Sequence, residues 1–192
     1  MRGSMNPESR NPAKAIRHEY EAKGVNGFYQ ECGEDYRNPH EPQIVRLLEI
    51  VAREWKLDLS CVLDLAAGSG EATLALRELG AGRVDGIDPF TFTAYQARTG
   101  QTAGRQTFGQ IADGILADRS YSLIVCSFAM HLVERSRLPR LAQQLARIGH
   151  RLLILTPHKR PEIRPAWGWE IEREIVVQRV RARLYQSLSR TK

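Results

Sequence analysis

The sequence has 192 residues, of which 42% are hydrophobic and 26% charged, so we expect one globular domain with its own core. No apolar run approaches the roughly 18 residues that a membrane helix needs, and no signal peptide is visible, so a cytoplasmic protein without membrane spans is expected. The cysteines Cys32, Cys61 and Cys126 are odd in number and far apart, which argues against a disulfide or zinc framework.

The formal net charge of +6 raises the question of a polyanionic partner. Part of the excess lies near the C-terminus, at Arg179, Arg181, Arg183, Arg190 and Lys192. Alternation of these arginines with apolar residues is typical of a solvated edge strand that charge protects from pairing. Because no aromatic platform for stacking bases lies among them, we expect an edge strand rather than a nucleic-acid surface, although the second reading stays open.

The N-terminal third is predicted to hold a leader, a helical segment and then a strong helix. Residues 1–4 resemble an expression-vector leader, and residues 5–12 are polar and are expected to be disordered. A single domain should then occupy residues 13–192, opening with a short helix from Pro12 to Lys23. Apolar residues fall on one face of the segment Gln43–Lys56, which predicts an amphipathic helix that covers the sheet.

A glycine-rich turn at residues 66–70 organises the rest of the chain. The apolar run from Cys61 to Leu65 predicts a buried strand, and apolar spacing after Gly70 predicts a helix. Gly68 and Gly70 lack a Cβ, so the backbone between strand and helix can turn tightly and approach a ligand. Asp64 stands near the end of the strand, on the edge of a parallel sheet where ligands bind.

A second strand, at residues 83–88, ends in another acid. Asp88 lies twenty residues after Gly68, the separation expected for a βαβ unit. A carboxylate at this place can accept two hydrogen bonds from a ribose diol. A solvated carboxylate at a strand end is the structural alternative.

The pattern Asp64-x-Ala66-x-Gly68-x-Gly70 resembles the first motif of class I S-adenosylmethionine (SAM) dependent methyltransferases, which is usually D/E-x-G-x-G-x-G. In this chain Ala66 stands in place of the first glycine. The resemblance implies a Rossmann-like, doubly wound sheet of about seven strands. Most are parallel, the C-terminal strand or strands are antiparallel, and helices cover both faces. It also implies SAM as the cofactor, with residues 13–42 as a helical lid.

The resemblance implies further cofactor contacts at the strand ends. Pro89 follows the ribose-binding acid Asp88, and a weak third strand at Gln106–Phe108 is followed by Gln110 and Ile111. In the family this place often carries an acid and an apolar residue that contact adenine, and Gln110 could accept through its amide oxygen. A fourth strand, from Tyr121, would end at Ser127 and Phe128 beside the cofactor.

The remaining elements agree with an α/β sheet. A short helix is predicted from Thr91 to Thr99, stopped by Gly100, and an amphipathic helix from Leu138 to Ile148, stopped by Gly149. A fifth strand is predicted at Arg151–Thr156. The stretch Trp167–Ser187 is rich in β-branched residues and should form one or two antiparallel edge strands. No glycine or proline marks a turn between them.

Histidines and lid aromatics are the candidates for contact with a methyl acceptor. His131 and His158 follow two predicted strands and should therefore meet at the carboxyl edge of the sheet. A histidine there can accept a proton or hold an acidic group, although packing or capping is an equally simple role. His40, with Tyr29 and Tyr36, could close over the same edge. No metal site is predicted, although convergence of three histidines leaves one open.

Three classes of function remain open at this stage. A SAM-dependent methyltransferase acting on a small molecule is favoured, because Ser127–Met130 replaces the N/D-P-P-Y/F tetrapeptide of many amino-methylating enzymes. An RNA or protein methyltransferase, or a non-catalytic Rossmann-like binding protein, is the alternative. A dinucleotide-dependent oxidoreductase fits less well, since Thr73 occupies the third small position of its fingerprint and no Tyr-x-x-x-Lys pair follows the fourth strand.

Overall fold

The computed structural model of the chain describes residues 36–189. The predicted leader, the predicted helix from Pro12 to Lys23 and the lid residue Tyr29 lie outside these residues. The five α-helices described are α1 (Glu41–Trp55), α2 (Glu71–Glu78), α3 (Phe92–Thr99), α4 (Phe108–Ala112) and α5 (Leu138–Ile148). The six strands described are β1 (Cys61–Leu65), β2 (Arg83–Ile87), β3 (Tyr121–Ser127), β4 (Gly149–Thr156), β5 (Trp169–Val177) and β6 (Val180–Ser187).

These strands form one sheet in the order β2-β1-β3-β4-β6-β5. The first four are parallel, and β6 is antiparallel to both β4 and β5. Buried apolar residues fill two layers, one beneath α1 and α2 and the other beneath α4 and α5. The predicted Rossmann-like fold with antiparallel C-terminal strands is confirmed, with six strands rather than about seven among the described residues.

The predicted third strand at Gln106–Phe108 is wrong. Among the described residues, only an isolated parallel bridge between Ile87 and Gly104 pairs with the side of β2 that faces away from β1, and helix α4 begins at Phe108. Thr107 and Gln110 form a capping box, in which Thr107 Oγ1 accepts from the Gln110 N–H at 3.2 Å and Gln110 Oε1 accepts from the Thr107 N–H at 2.9 Å. This reciprocal pair starts a helix, so the segment leaves the sheet.

The C-terminal hairpin corrects the prediction of an edge strand for the arginine-rich segment. Gln178 and Arg179 have φ angles of 48° and 67°, the left-handed pair of a type I′ turn, here built without glycine. Strand β6 pairs with β4 on one side and with β5 on the other, so β5 is the edge strand. Arg183 is only 4% exposed, and its guanidinium donates to Glu174 and to the Pro161 carbonyl.

None of the described helices is both long and apolar enough to cross a bilayer. Helix α1 begins with Pro42 in its first turn and buries one face, as predicted. The end of α3 is also confirmed, because Gly100 caps it in the left-handed conformation.

Trp169 attaches the edge strand β5 to helix α5. Its side chain is fully buried, and its indole N–H donates to the Ala142 carbonyl at 2.8 Å. We expect Trp169→Phe to lower the free energy of unfolding by about 1–3 kcal/mol, because the indole hydrogen bond to the helix is lost and the smaller ring fills less of the core. Urea denaturation measures the change, and Trp167→Phe, at a half-buried position, is the matched control. Equal effects of both variants would show that the indole hydrogen bond does not anchor β5.

Candidate active site

A cavity of about 320 Å³ opens at the carboxyl edge of the parallel strands. Seven residues that the sequence singled out line it, namely Tyr36, Ala66, Gly68, Asp88, Pro89, Ser127 and Phe128. They come from the segment before α1 and from the ends of β1, β2 and β3. The crossover of the parallel strands therefore brings together residues that lie up to 92 positions apart in the chain.

The turn after β1 is built on left-handed backbone. Ala66, Gly68 and Gly70 have φ angles of 57°, 58° and 92°. A Cβ on Gly70 would lie 2.4 Å from Cγ2 of Thr99, so only glycine fits between the turn and α3. Ala66 adopts the same region with a Cβ, which costs free energy, and strain of this kind concentrates at functional sites.

Asp88 joins the end of β2 to this turn. One carboxylate oxygen accepts from the Gly68 N–H at 3.1 Å, and the other accepts from the N–H groups of Phe90 and Thr91, both at 2.9 Å. Thr91 returns a hydrogen bond from its hydroxyl to the Gly68 carbonyl at 2.7 Å. Asp88 is therefore a structural acceptor as well as a cavity residue, rather than a freely solvated carboxylate.

Asp64 lies in the core behind the turn and does not line the cavity. It is fully buried, Thr73 donates to its Oδ2 at 2.7 Å, and its Oδ1 has no hydrogen-bond partner. Burial raises the pKa of Asp64 to about 7, the charges of Glu71 and Asp88 add to the rise, and the bond from Thr73 opposes it.

A network that the sequence did not reveal surrounds Glu71. This buried residue lines the cavity and accepts from the backbone N–H groups of Asn38 and Ser69 at 3.0 and 3.1 Å. The guanidinium of Arg98 contacts both Glu71, at 3.4 Å, and Glu41 at the start of α1. The network fastens the segment before α1 to the glycine turn. Arg98 lies 27 residues after Glu71, so no local motif connects them.

The predicted acceptor-side residues form two pairs. His40 stacks on Phe128 with ring centroids 4.8 Å apart, which places the segment before α1 over the end of β3. His131 and His158 meet as predicted, with ring centroids 4.4 Å apart, but neither lines the cavity. Desolvation, with a smaller contribution from His158, lowers the pKa of His131 to about 4, so its ring is neutral near pH 7.

Gln110 and Ile111 do not lie on the cavity wall. The amide oxygen of Gln110 is committed to the capping box of α4, and Ile111 is buried in the core. Their place in the wall is taken by Gln106, Thr107 and Phe108. Within residues 36–189, no group of three or more His, Cys, Asp or Glu side chains could hold a metal ion.

Comparison with known proteins gives two kinds of likeness. A family described as a methyltransferase domain matches residues 62–150. An uncharacterized protein of Schizosaccharomyces pombe is 32% identical over 233 aligned positions, which cover 93% of this chain and 94% of that protein. The match to the methyltransferase domain family includes the glycine turn, Asp88 and the ends of β1, β2 and β3.

Solved structures show the same fold at low identity. Magnesium protoporphyrin IX methyltransferase from Synechocystis, crystallised with bound SAM, is 16% identical with a TM-score of 0.56, over 95% of this chain and 99% of that one. Mitomycin 7-O-methyltransferase is 13% identical with a TM-score of 0.61, over 91% of this chain and 60% of that one. At these identities the likeness concerns the fold.

The strained turn predicts an unusual response to glycine. We expect Ala66→Gly to leave the free energy of unfolding unchanged or to raise it by up to about 1 kcal/mol, because relief of a left-handed alanine offsets the entropy of glycine in the unfolded chain. Ala67→Gly is the control, since Ala67 is buried and does not have a positive φ; it should lose stability. Chemical denaturation compares the two, and equal losses would contradict strain at Ala66.

The buried acid predicts a pH-dependent stability. The raised pKa of Asp64 means that the folded state binds a proton between about pH 4 and 7 that the unfolded state does not, so the charged form destabilises the fold increasingly as the pH rises. We expect the free energy of unfolding of Asp64→Asn minus that of the parent chain to increase as the pH is raised from 5 to 8. The increase should be at most about 1.4 kcal/mol per pH unit and should level off above pH 7.

Urea denaturation at several pH values measures this difference. Asp118→Asn, at an exposed position, controls for the change in net charge. A difference between Asp64→Asn and the parent chain that stays constant with pH would contradict a buried, titrating Asp64.

Proposed function

The chain belongs to the class I SAM-dependent methyltransferase superfamily, and we propose that it transfers a methyl group from SAM to a small-molecule acceptor. The observation that carries the proposal is the cavity wall in which the glycine turn and Asp88 lie side by side at the carboxyl edge of the sheet. In open α/β sheets, ligands bind at this edge. When bound, SAM supplies an electrophilic methyl carbon on a sulfonium that leaves readily.

The residues present fit a nucleoside with a charged tail. An ionised carboxylate has about four acceptor positions, and Asp88 uses three of them, so it retains capacity for a ribose hydroxyl. Phe90 and Phe108 place two aromatic rings in the wall, and we assign the adenine side to them rather than to Gln110. Gly68 has no side chain, and the space that a Cβ would need is taken by the cavity residues Glu71 and Tyr36, at 2.9 and 3.3 Å.

The acceptor side is assigned to the segment before α1 and to the residues after β3. Tyr36 and Asn38 line the cavity, and the ring of Phe128 is held by the stack with His40. His131 and His158 remain candidates for proton transfer, because their rings are in contact and His131 directly precedes the cavity residue Leu132 in the chain. Methyl transfer requires the nucleophile to be held in line with the leaving group. The cavity residues Tyr36, Asn38 and Phe128 would hold the acceptor in this position.

Two structural neighbours are named for small-molecule acceptors, magnesium protoporphyrin and mitomycin. We further propose that the protein works in the cytoplasm and falls within the methyltransferase class of transferases.

Ligand-dependent stability tests the cofactor. We expect S-adenosylhomocysteine to raise the melting temperature more than NAD or NADP does, since a ligand at a hundredfold excess over its dissociation constant stabilises the folded state by about 2.7 kcal/mol.

The substitution Asp88→Asn should lower the affinity for S-adenosylhomocysteine by about tenfold or more in calorimetry, because a hydrogen bond to a charged group is worth about 1.5–3 kcal/mol.

Asp118→Asn, far along the chain and exposed, is the control for the loss of one charge. The calorimetry is run at a temperature where both variants are folded, because Asp88 also holds the turn. A larger melting shift with NAD than with S-adenosylhomocysteine would reject the methyltransferase function.

A further inference from the structure

The outer edge of strand β2 carries a second cavity, at the other side of the sheet from the acceptor residues. It has a volume of about 540 Å³ and is lined by β2, by Arg77 on α2, and by Arg119 and Tyr121 before and in β3. None of its residues except Ile87 and Gln106 belongs to the wall of the candidate active site. The proposed methyl transfer does not use it.

This cavity exists because the sheet ends at β2. Among residues 36–189, only the bridge between Ile87 and Gly104 pairs with the outer side of β2. The Gly104 N–H donates to the Gly86 carbonyl and the Asp88 N–H donates to the Gly104 carbonyl, both at 2.8 Å. The capping box of α4 then draws the chain away, so no third strand continues the pairing.

The alternation of backbone groups identifies what the open edge offers. In a parallel strand, successive residues direct their N–H and C=O groups to opposite neighbours. The backbone N–H of Arg83 donates to the Ser60 carbonyl, and the Ile87 carbonyl accepts from the Ala67 N–H. The backbone polar groups of the odd-numbered residues of β2 are therefore directed toward β1. Val84 and Gly86 therefore face outward, and the N–H and C=O of Val84 with the N–H of Gly86 are directed to the cavity that both residues line.

The charged side chains around this edge are three arginines, Arg77, Arg83 and Arg119, and one acid, Asp85. Arg83 is paired with Asp85 through two hydrogen bonds, of 2.9 and 2.7 Å, which neutralises the one acid on the wall. Arg119 is exposed and forms no salt bridge with a described residue. Arg77 donates through Nη1 to the Thr99 carbonyl, whereas its Nη2 is shielded from solvent and has no hydrogen-bond partner.

We propose that the outer edge of β2 binds an extended acidic peptide segment of a partner protein, which adds to the sheet as a further strand. Backbone groups of Val84 and Gly86 would pair with the peptide, as in other cases of strand addition. Charge complementarity selects the acidic peptide, because Arg77 and Arg119 are the cations that remain after Arg83 and Asp85 pair. The guanidinium of Arg119 is exposed at the rim, where a carboxylate of the peptide can pair with it.

NMR titration of the full chain with defined peptides tests this proposal. The probe is the acetylated and amidated peptide Glu-Val-Glu-Val-Glu, and the controls are Lys-Val-Lys-Val-Lys and the acidic peptide with N-methyl groups on alternate amides. We expect the acidic peptide to shift the Val84 and Gly86 amide resonances in a saturable way. The basic peptide should not bind, and N-methylation should abolish binding because it removes the ladder hydrogen bonds.

Charge reversal at the rim gives the matched pair of variants. Arg119→Glu should weaken the acidic peptide by roughly fivefold, the upper range for an exposed ion pair, whereas Arg173→Glu on the opposite edge strand should leave the affinity unchanged. Equal binding of the N-methylated peptide would overturn strand addition in favour of general charge attraction. Absence of shifts would overturn the proposal, as would concentration-dependent self-pairing at Val84 or an edge already protected from hydrogen exchange by the chain itself.

Discussion

The carboxylate of Asp88 is the interaction on which the candidate active site depends. Its hydrogen bonds with the N–H groups of Gly68, Phe90 and Thr91 fix the end of β2 against the turn that follows β1. Without this contact the two strand ends would each carry unpaired backbone groups at the edge where a ligand is expected. The cavity is therefore a product of pairing between two adjacent loops, and a single residue serves both the fold and the site.

A second set of contacts closes the cavity from the N-terminal side. The Glu71 carboxylate accepts hydrogen bonds from the backbone N–H groups of Asn38 and Ser69. Arg98 forms ion pairs with both Glu71 and Glu41, and so links the turn to the first turn of α1. The stack of His40 on Phe128 holds the same segment at the end of β3. The strained residues Ala66 and Phe128, both with positive φ, lie at the ends of β1 and β3, where surrounding contacts hold them in place.

The individual strands, the glycine turn and the acid paired with it follow from patterns that are local in the sequence, whereas the strand order and the SAM cofactor follow from the family resemblance. Buried strands, the glycine turn and the acid at Asp88 are each contained within a few residues, so periodicity and spacing predict them. The errors have physical causes of another kind. The capping box at Thr107 starts a helix where the sequence pattern predicts a strand. The type I′ turn at Gln178 has no glycine, so no local signal in the sequence indicates the hairpin. The link from Glu71 to Arg98 joins distant residues, which no local pattern encodes.

The hydrogen bonds of the glycine turn also determine whether its backbone N–H groups are free to bind an anion. The N–H groups of Gly68, Ser69 and Gly70 are all occupied, by Asp88, by Glu71 and by the Ala67 carbonyl. In folds that bind pyrophosphate, such N–H groups remain free for the ligand. A pyrophosphate at this turn would have to displace the carboxylates of Asp88 and Glu71 and would then lie beside them. The turn therefore disfavours a phosphate group even before a ligand binds.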